Sequence, residues 1–111
     1  MAAEKSDVLQ GTLDLLILRT LALEPLHGFG ISRRLRQITG GVFVVNPGSL
    51  FPALYKLEAE GYVSASWGES ENRRRARYYR LTAAGRKHLE AEQKNWRRIS
   101  LAINRVLETT A

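Results

Sequence analysis

Residues 46–61 carry both a helix start signal and a helix stop signal, which constrains the chain more than any other feature. Asn46 is a favourable N-cap because its side-chain oxygen accepts a hydrogen bond from the first turn, and Pro47 suits the first helical position. Gly61 suits the left-handed conformation that ends many helices. Apolar residues at helical spacing predict a buried face made of Leu50, Leu54 and Leu57. The opposite face is predicted to expose Ser49, Pro52, Tyr55 and Lys56.

The next stretch has the pattern of a β-hairpin with a basic tip. Residues 62–67 alternate as a strand does, residues 68–72 form a polar turn, and residues 73–81 predict a second strand. Four arginines cluster near the tip with no acid among them: Arg73, Arg74, Arg75 and Arg77. A helix with a polar outer face followed by such a hairpin predicts a winged helix-turn-helix, whose helix enters the DNA major groove while the hairpin, or wing, contacts the backbone.

Composition limits the class of protein and its partners. The chain has 111 residues, of which 44% are hydrophobic, so we expect one small domain with a core. The absence of cysteine excludes a disulfide framework and fits a reducing cytoplasm. The formal net charge of +6 favours a polyanionic partner. The apolar runs are too short to span a membrane and the acidic N-terminus is unlike a signal peptide, so we expect a cytoplasmic protein without membrane association.

Two helices and a short strand are predicted ahead of residue 46. The first helix is predicted from residue 8 or 9 to residue 23, before Pro25, with a turn at residues 26–28. A second helix is predicted over residues 29–39, with an inward face of Phe29, Ile31, Leu35 and Ile38. The β-branched run at residues 42–45 predicts a strand, which we expect to join the wing hairpin as its third strand.

The last helix is predicted from Ala83 to about Leu107, with Thr82 as its N-cap. It is roughly 35–40 Å long, too long to bury its whole apolar stripe against so small a domain. The stripe has near-heptad spacing, which predicts a homodimer interface made of Leu89, Trp96, Ile99, Ile103 and Val106. We therefore expect a DNA-binding winged helix-turn-helix over residues 1–82 and a dimerisation helix over residues 83–111.

Four motifs occur in order along most of the chain. They are GTLDLLIL, LHGFGI, GSLFPALYKLE and RARYYRLT, at residues 11–18, 26–31, 48–58 and 75–82. Together they resemble the PadR family of bacterial transcriptional regulators, and the single C-terminal helix resembles its short subfamily. The resemblance implies a winged-helix dimer that represses transcription, often of its own operon or of stress and efflux genes. Phe51 and Phe29 replace tyrosines that are usual in the family, so any hydrogen bond made by those hydroxyls is absent here.

The DNA-binding surface is predicted to combine the outer face of the recognition helix, its N-terminus and the wing. Hydroxyl, amine and ring groups suit base edges, phosphates and thymine methyls, while helix amides and arginines suit phosphates. The full predicted set is Asn46, Gly48, Ser49, Pro52, Tyr55, Lys56, Arg73, Arg74, Arg75 and Arg77. The alternative interpretation is an ordinary exposed helix face beside a solvated charged turn.

Trp96 has two interpretations. Some members of the family bind flat aromatic compounds between subunits, beside a tryptophan of the last helix, so the resemblance implies a small aromatic effector that stacks on Trp96. The simpler interpretation is packing in the dimer interface, where tryptophan is a common anchor.

An enzyme is not expected from this sequence. No nucleophile lies at a recognisable spacing from a base, and His27 and His88 lack a metal-ligand spacing, so we predict no catalytic residue, metal or cofactor. The favoured function is a homodimeric repressor that binds a pseudo-palindromic site on double-stranded DNA. The alternatives are a non-specific winged-helix nucleic-acid-binding protein and a winged-helix protein-interaction module.

Overall fold

The computed structural model describes the backbone of residues 2–110 and the side chains of residues 12–110. Four helices and a three-stranded antiparallel sheet follow one another as α1 (Ala2–Leu23), β1 (Leu26–His27), α2 (Gly28–Ile38), α3 (Pro47–Ala59), β2 (Val63–Glu69), β3 (Arg75–Leu81) and α4 (Ala83–Glu108). This architecture confirms the predicted fold, which is mainly α with a small β-wing and one long C-terminal helix. In the described part of the chain, no helix combines the length and the apolar character that a bilayer span requires.

Side-chain caps set the starts of three helices. Asn46 begins α3 and Thr82 begins α4, each accepting a hydrogen bond at 3.0 Å from the amide three residues ahead, as predicted. His27 does the same for α2 through its Nδ1 atom, although histidine is not a favoured N-cap. Gly61, after the end of α3, has a φ of +81°, which confirms its predicted left-handed conformation.

The third strand of the sheet differs from the prediction. Strand β3 lies in the middle, paired with β2 on one side and with β1, which the sequence predicted as a turn, on the other. The predicted strand at residues 42–45 is wrong: these residues lie in the loop between α2 and α3, and residues 26–27 supply the third strand instead. Val45 nevertheless enters the core, and its carbonyl accepts a hydrogen bond from Ser32 Oγ at 3.1 Å.

One hydrophobic core joins the helices to the sheet. The leucine face of α3 is fully buried as predicted, and each buried leucine contributes about 1.5–3 kcal/mol to folding. The other fully enclosed apolar residues come from every layer of the fold: Leu13, Ile17, Leu18, Leu21, Ile31, Leu35, Val45, Val63, Tyr79 and Leu89. The burial of this face determines which side of α3 remains on the surface.

Two residues of α2 predicted to face inward lie at the surface. Phe29 is 61% exposed and Ile38 is 53% exposed. Phe29 lies about 160° around the helix from Ile31, on a different face, whereas Ile38 is the last residue of the helix, one turn beyond the buried Leu35. The ring of Phe29 packs edge-to-face against Phe51 of α3, with centroids 5.8 Å apart. Phe29 therefore belongs to the surface around α3.

Helix α4 is buried at its beginning and exposed over its second half. Leu89 is 3% exposed within one protomer and belongs to its core, so the assignment of Leu89 to the dimer interface is wrong. The elements before α4, which we call the body (residues 2–82), cover only about the first two turns of this helix. The spacing of the apolar stripe does not show where that cover ends. The remaining predicted interface residues are between 37% and 74% exposed: Trp96, Ile99, Ile103 and Val106.

We expect Gly85→Ala to destabilise the protein, because a Cβ at this position would overlap the main-chain carbonyl of Tyr62. Overpacking of this kind costs about 1–3 kcal/mol, measured as a lower urea midpoint. Gly30→Ala is the matched control in α2, where the nearest atom to a new Cβ is 3.4 Å away. Equal midpoints for the two variants would contradict the close approach of α4 to residue 62.

Candidate nucleic-acid interface

A cleft of about 590 Å³ separates α2 and α3 from the wing. Its lining combines five aromatic residues and four arginines: Phe29, Phe51, Tyr55, Trp67, Tyr79, Arg33, Arg74, Arg75 and Arg77. We call this the wing cleft. It brings Tyr55 of the predicted recognition helix next to three of the four predicted wing arginines. Elements that are separate in sequence thus form one continuous cationic and aromatic surface.

The outer face of α3 lies where the leucine pattern predicts it. Tyr55 and Lys56 are exposed, as are Pro52 and Gly48, while Ser49 is half-buried. At the start of the helix, Asn46 is exposed although its side chain is engaged in the cap. The four residues that the sequence assigned to the outer face, and the two that it placed at the helix N-terminus, therefore all have surface area.

Lys56 is held by an acid from another helix. Its Nζ donates to Asp14 Oδ2 of α1 at 2.9 Å, and this hydrogen bond raises the pKa of the Lys56 ammonium above its usual value. The side chain remains 61% exposed, so the contact directs the ammonium without burying it. The Lys56 ammonium therefore remains accessible to solvent although it is paired with Asp14.

The wing arginines have different surroundings. Arg73 lies in the turn with a φ of +58°, and the Arg75 guanidinium stacks over the Trp67 ring at 4.6 Å from its centroid. Arg77 Nη2 donates to Glu58 Oε2 of α3 at 2.7 Å, and both side chains are partly covered. Arg77 therefore joins the wing to the recognition helix, a contact that the sequence analysis did not predict.

A second contact missed from the sequence links the wing turn to α2. Glu71 lies 3.3 Å from Arg33 Nη1 and 3.5 Å from His27 Nε2. Hydrogen bonding to its own backbone amide, then to His27 and Arg33, lowers the pKa of the Glu71 carboxyl. No local pattern marks this cluster, because Glu71 and Arg33 are 38 positions apart.

Aromatic rings form the floor and wall of the wing cleft. Phe51 contacts Phe29 and Tyr55, with ring centroids 5.8 Å and 6.3 Å away. A side chain at Gly28 would overlap the Phe51 ring, so this glycine allows α2 to approach α3. Tyr79 is buried below the rings, and burial raises the pKa of its hydroxyl.

Among the described residues, no group of His, Asp or Glu side chains is arranged to hold a metal ion.

We expect Arg77→Ala to lower the free energy of unfolding by about 1 kcal/mol, because it leaves the partly covered Glu58 carboxylate without its cation. Arg80→Ala is the matched control on the same strand, since Arg80 is exposed and makes no ion pair within residues 12–110. Urea denaturation of both variants measures the difference. Equal losses would show that the Arg77 contact does not stabilise the wing.

Comparison with solved structures identifies the same fold in known regulators. A transcriptional regulator from Clostridium thermocellum aligns with a TM-score of 0.81 and 31% identity, covering 89% of this chain and 96% of that one. A PadR-like transcriptional regulator from Bacillus cereus aligns with a TM-score of 0.81 and 25% identity, covering 94% and 99%. A PadR family transcription regulator from Clostridium difficile aligns with a TM-score of 0.75 and 26% identity, covering 86% of this chain and 98% of that one.

Two sequence relatives match this chain over most of its length. An uncharacterized protein of Lysinibacillus sphaericus is 27% identical over 104 residues, which are 94% of this chain and 95% of that protein. An uncharacterized 37.1 kDa protein in a Streptomyces fradiae transposon is 40% identical over 86 residues, 78% of this chain but 23% of its own length. The model of the transcriptional regulator PadR-like family matches residues 17–91. The chain therefore belongs to the PadR-like family, whose members are DNA-binding transcriptional regulators and not enzymes.

Proposed function

We propose that the protein is a homodimeric, sequence-specific repressor that acts in the cytoplasm on a pseudo-palindromic operator. One observation carries the proposal: Tyr55 of the exposed face of α3 and three wing arginines line a single cleft, while the second half of α4 exposes an apolar face. The first feature suits a DNA duplex, and the second suits another copy of the same helix. Residues 1–82, together with the first turns of α4, bind DNA. The remaining, exposed part of residues 83–111 forms the dimer.

The reading surface combines two kinds of contact. The exposed face of α3, with Ser49, Tyr55 and Lys56, enters the major groove, where hydroxyl and amine groups distinguish base edges. Arg73, Arg74 and Arg75 contact the phosphate backbone from the wing. The Trp67 ring holds the Arg75 guanidinium in place before DNA arrives, which reduces the ordering cost of binding.

The dimer is formed by one side of α4. At 100° per residue, Trp96, Ile99 and Ile103 fall within one half of the helix surface, and Val106 lies beside them. Lys87, Lys94 and Arg98 fall on the opposite side and remain in solvent. Pairing of two apolar sides places the two recognition helices on successive major grooves, about 34–36 Å apart.

A small aromatic effector is the second part of the proposal. Trp96 is 45% exposed on the apolar side of α4, so in the dimer its ring is available for packing or for stacking with a flat ligand. An effector bound there would release the operator by changing the angle between the two α4 helices, and with it the spacing of the recognition helices.

We expect the Arg73/Arg74/Arg75→Ala variant to lose affinity for DNA and to show a shallower dependence on salt. Each phosphate contact contributes about 0.9 to the slope of log K against log salt, so the slope should fall by roughly 2–3. The measurement is fluorescence anisotropy with a duplex from the region upstream of the protein's own gene, between about 50 and 200 mM salt. The matched control is Lys87/Lys94/Arg98→Ala, which removes the same charge from α4.

The same titration separates the alternatives. An unchanged slope in the wing variant would refute the contact between wing and backbone. Equal affinity for upstream and random duplexes would favour the non-specific nucleic-acid-binding protein, since specific sites bind about a thousandfold tighter or more. A complete lack of salt-sensitive binding would favour the protein-interaction module.

We expect Ile103→Arg to convert the dimer into a monomer at micromolar concentration, because a guanidinium cannot be buried without a partner charge. Leu101→Arg is the matched control: Leu101 is more exposed than Ile103, at 60% against 49%, but points away from the apolar side. Sedimentation velocity measures the oligomeric state of both variants and of wild type. A dimeric Ile103→Arg variant, or a monomeric wild type, would contradict the interface.

A further inference from the structure

Glu71 lies where two hydrogen-bond donors of the body converge. Its carboxylate is 3.3 Å from Arg33 Nη1 of α2 and 3.5 Å from His27 Nε2. The Nδ1 atom of His27 accepts a hydrogen bond from the Gly30 amide, so the ring proton of neutral His27 resides on Nε2 and faces the carboxylate. A guanidinium and an imidazole N–H that point at one oxyanion also suit a phosphate.

The position of this pair relates it to DNA. His27, Arg33 and Glu71 line the wing cleft together with Tyr55 of the recognition helix and Arg75 of the wing. A duplex whose major groove receives α3 and whose backbone meets the wing passes along this cleft. The donors occupied by Glu71 therefore lie beside the path of a backbone phosphate.

We propose that Glu71 is an internal substitute for a DNA phosphate, which occupies Arg33 and His27 in the free protein and is displaced by a backbone phosphate on the operator. This inference rests on the proposed function. It assigns Arg33 and His27 as further backbone contacts and Glu71 as a residue that weakens binding to DNA. The displaced carboxylate opposes every duplex alike, so only a duplex that adds base contacts from α3 is still bound tightly.

The geometry favours exchange over a fixed support. Both contacts are long, and the side chains of Arg33 and Glu71 are 60% and 53% exposed, so the ion pair contributes little to stability. The wing turn has its own main-chain hydrogen bonds, from Ser70 to Arg74 at 2.8 Å and from Arg73 to Ser70 at 2.9 Å. Removing the carboxylate therefore leaves the wing in place.

The test compares two single substitutions in the same wing. Glu71→Gln removes the substitute phosphate, whereas Glu69→Gln removes the same charge two residues away. Within residues 12–110, Glu69 makes no ion pair, and its main-chain carbonyl, which accepts from the Tyr78 hydroxyl, is unchanged by the substitution. We expect Glu71→Gln to bind a random duplex roughly fivefold tighter than wild type, the scale of one exposed ion pair, and Glu69→Gln less than about twofold tighter.

The specificity of both variants should remain that of wild type in the same titration. Glu71→Gln should raise the affinities for upstream and random duplexes by the same factor, because the carboxylate opposes every duplex alike. In an Arg33→Ala background, adding Glu71→Gln should change random-duplex affinity by less than about twofold, because Arg33, the guanidinium of the two donors that the carboxylate masks, is gone.

Each outcome has one meaning. Equal affinities for Glu71→Gln and Glu69→Gln overturn the inference while the proposed function stands, provided that wild type binds upstream DNA. Weaker binding by Glu71→Gln also overturns it and shows that Glu71 positions the wing. Wild-type protein that binds no duplex overturns both the inference and the proposed function.

Discussion

The burial of the leucine face of α3 is the constraint on which the remaining surface depends. Leu50, Leu54 and Leu57 have no exposed area, and they pack against α1, α2 and the sheet in one core. A helix held along one full face cannot rotate without exposing these leucines, which costs several kcal/mol in total. The opposite face, with Tyr55 and Lys56, is consequently presented in a single orientation.

Three cations of α2, α3 and the wing are each engaged by an acid from a different element. Lys56 contacts Asp14, Arg77 contacts Glu58, and Arg33 contacts Glu71. The Arg77 contact is the shortest and most covered, which suits a joint between wing and helix. The contact between Glu71 and Arg33 is longer and more exposed, which suits exchange with a competing anion. A family assignment alone does not separate these two roles, whereas the distances do.

The corner between α3 and the wing also orients α4. The hydroxyl of Thr82 donates to the Gly61 carbonyl at 2.7 Å, and its amide donates to the Tyr62 carbonyl at 3.1 Å. Six residues after Thr82, His88 stacks on the Tyr62 ring, with centroids 4.2 Å apart. The end of α3 and the start of α4 are thereby joined through one short segment.

Local sequence determined the helix caps at Asn46 and Thr82, the left-handed Gly61, the hairpin and the buried face of α3, because these depend on neighbours within four residues or on strict periodicity. Tertiary structure alone decided that residues 26–27 form the third strand, that Leu89 belongs to the core of one protomer, and that Glu71 meets Arg33. Those outcomes depend on which distant surfaces meet. Local periodicity does not show which segment pairs with β3 or how far the body extends along α4. It also does not show a contact between residues 38 positions apart.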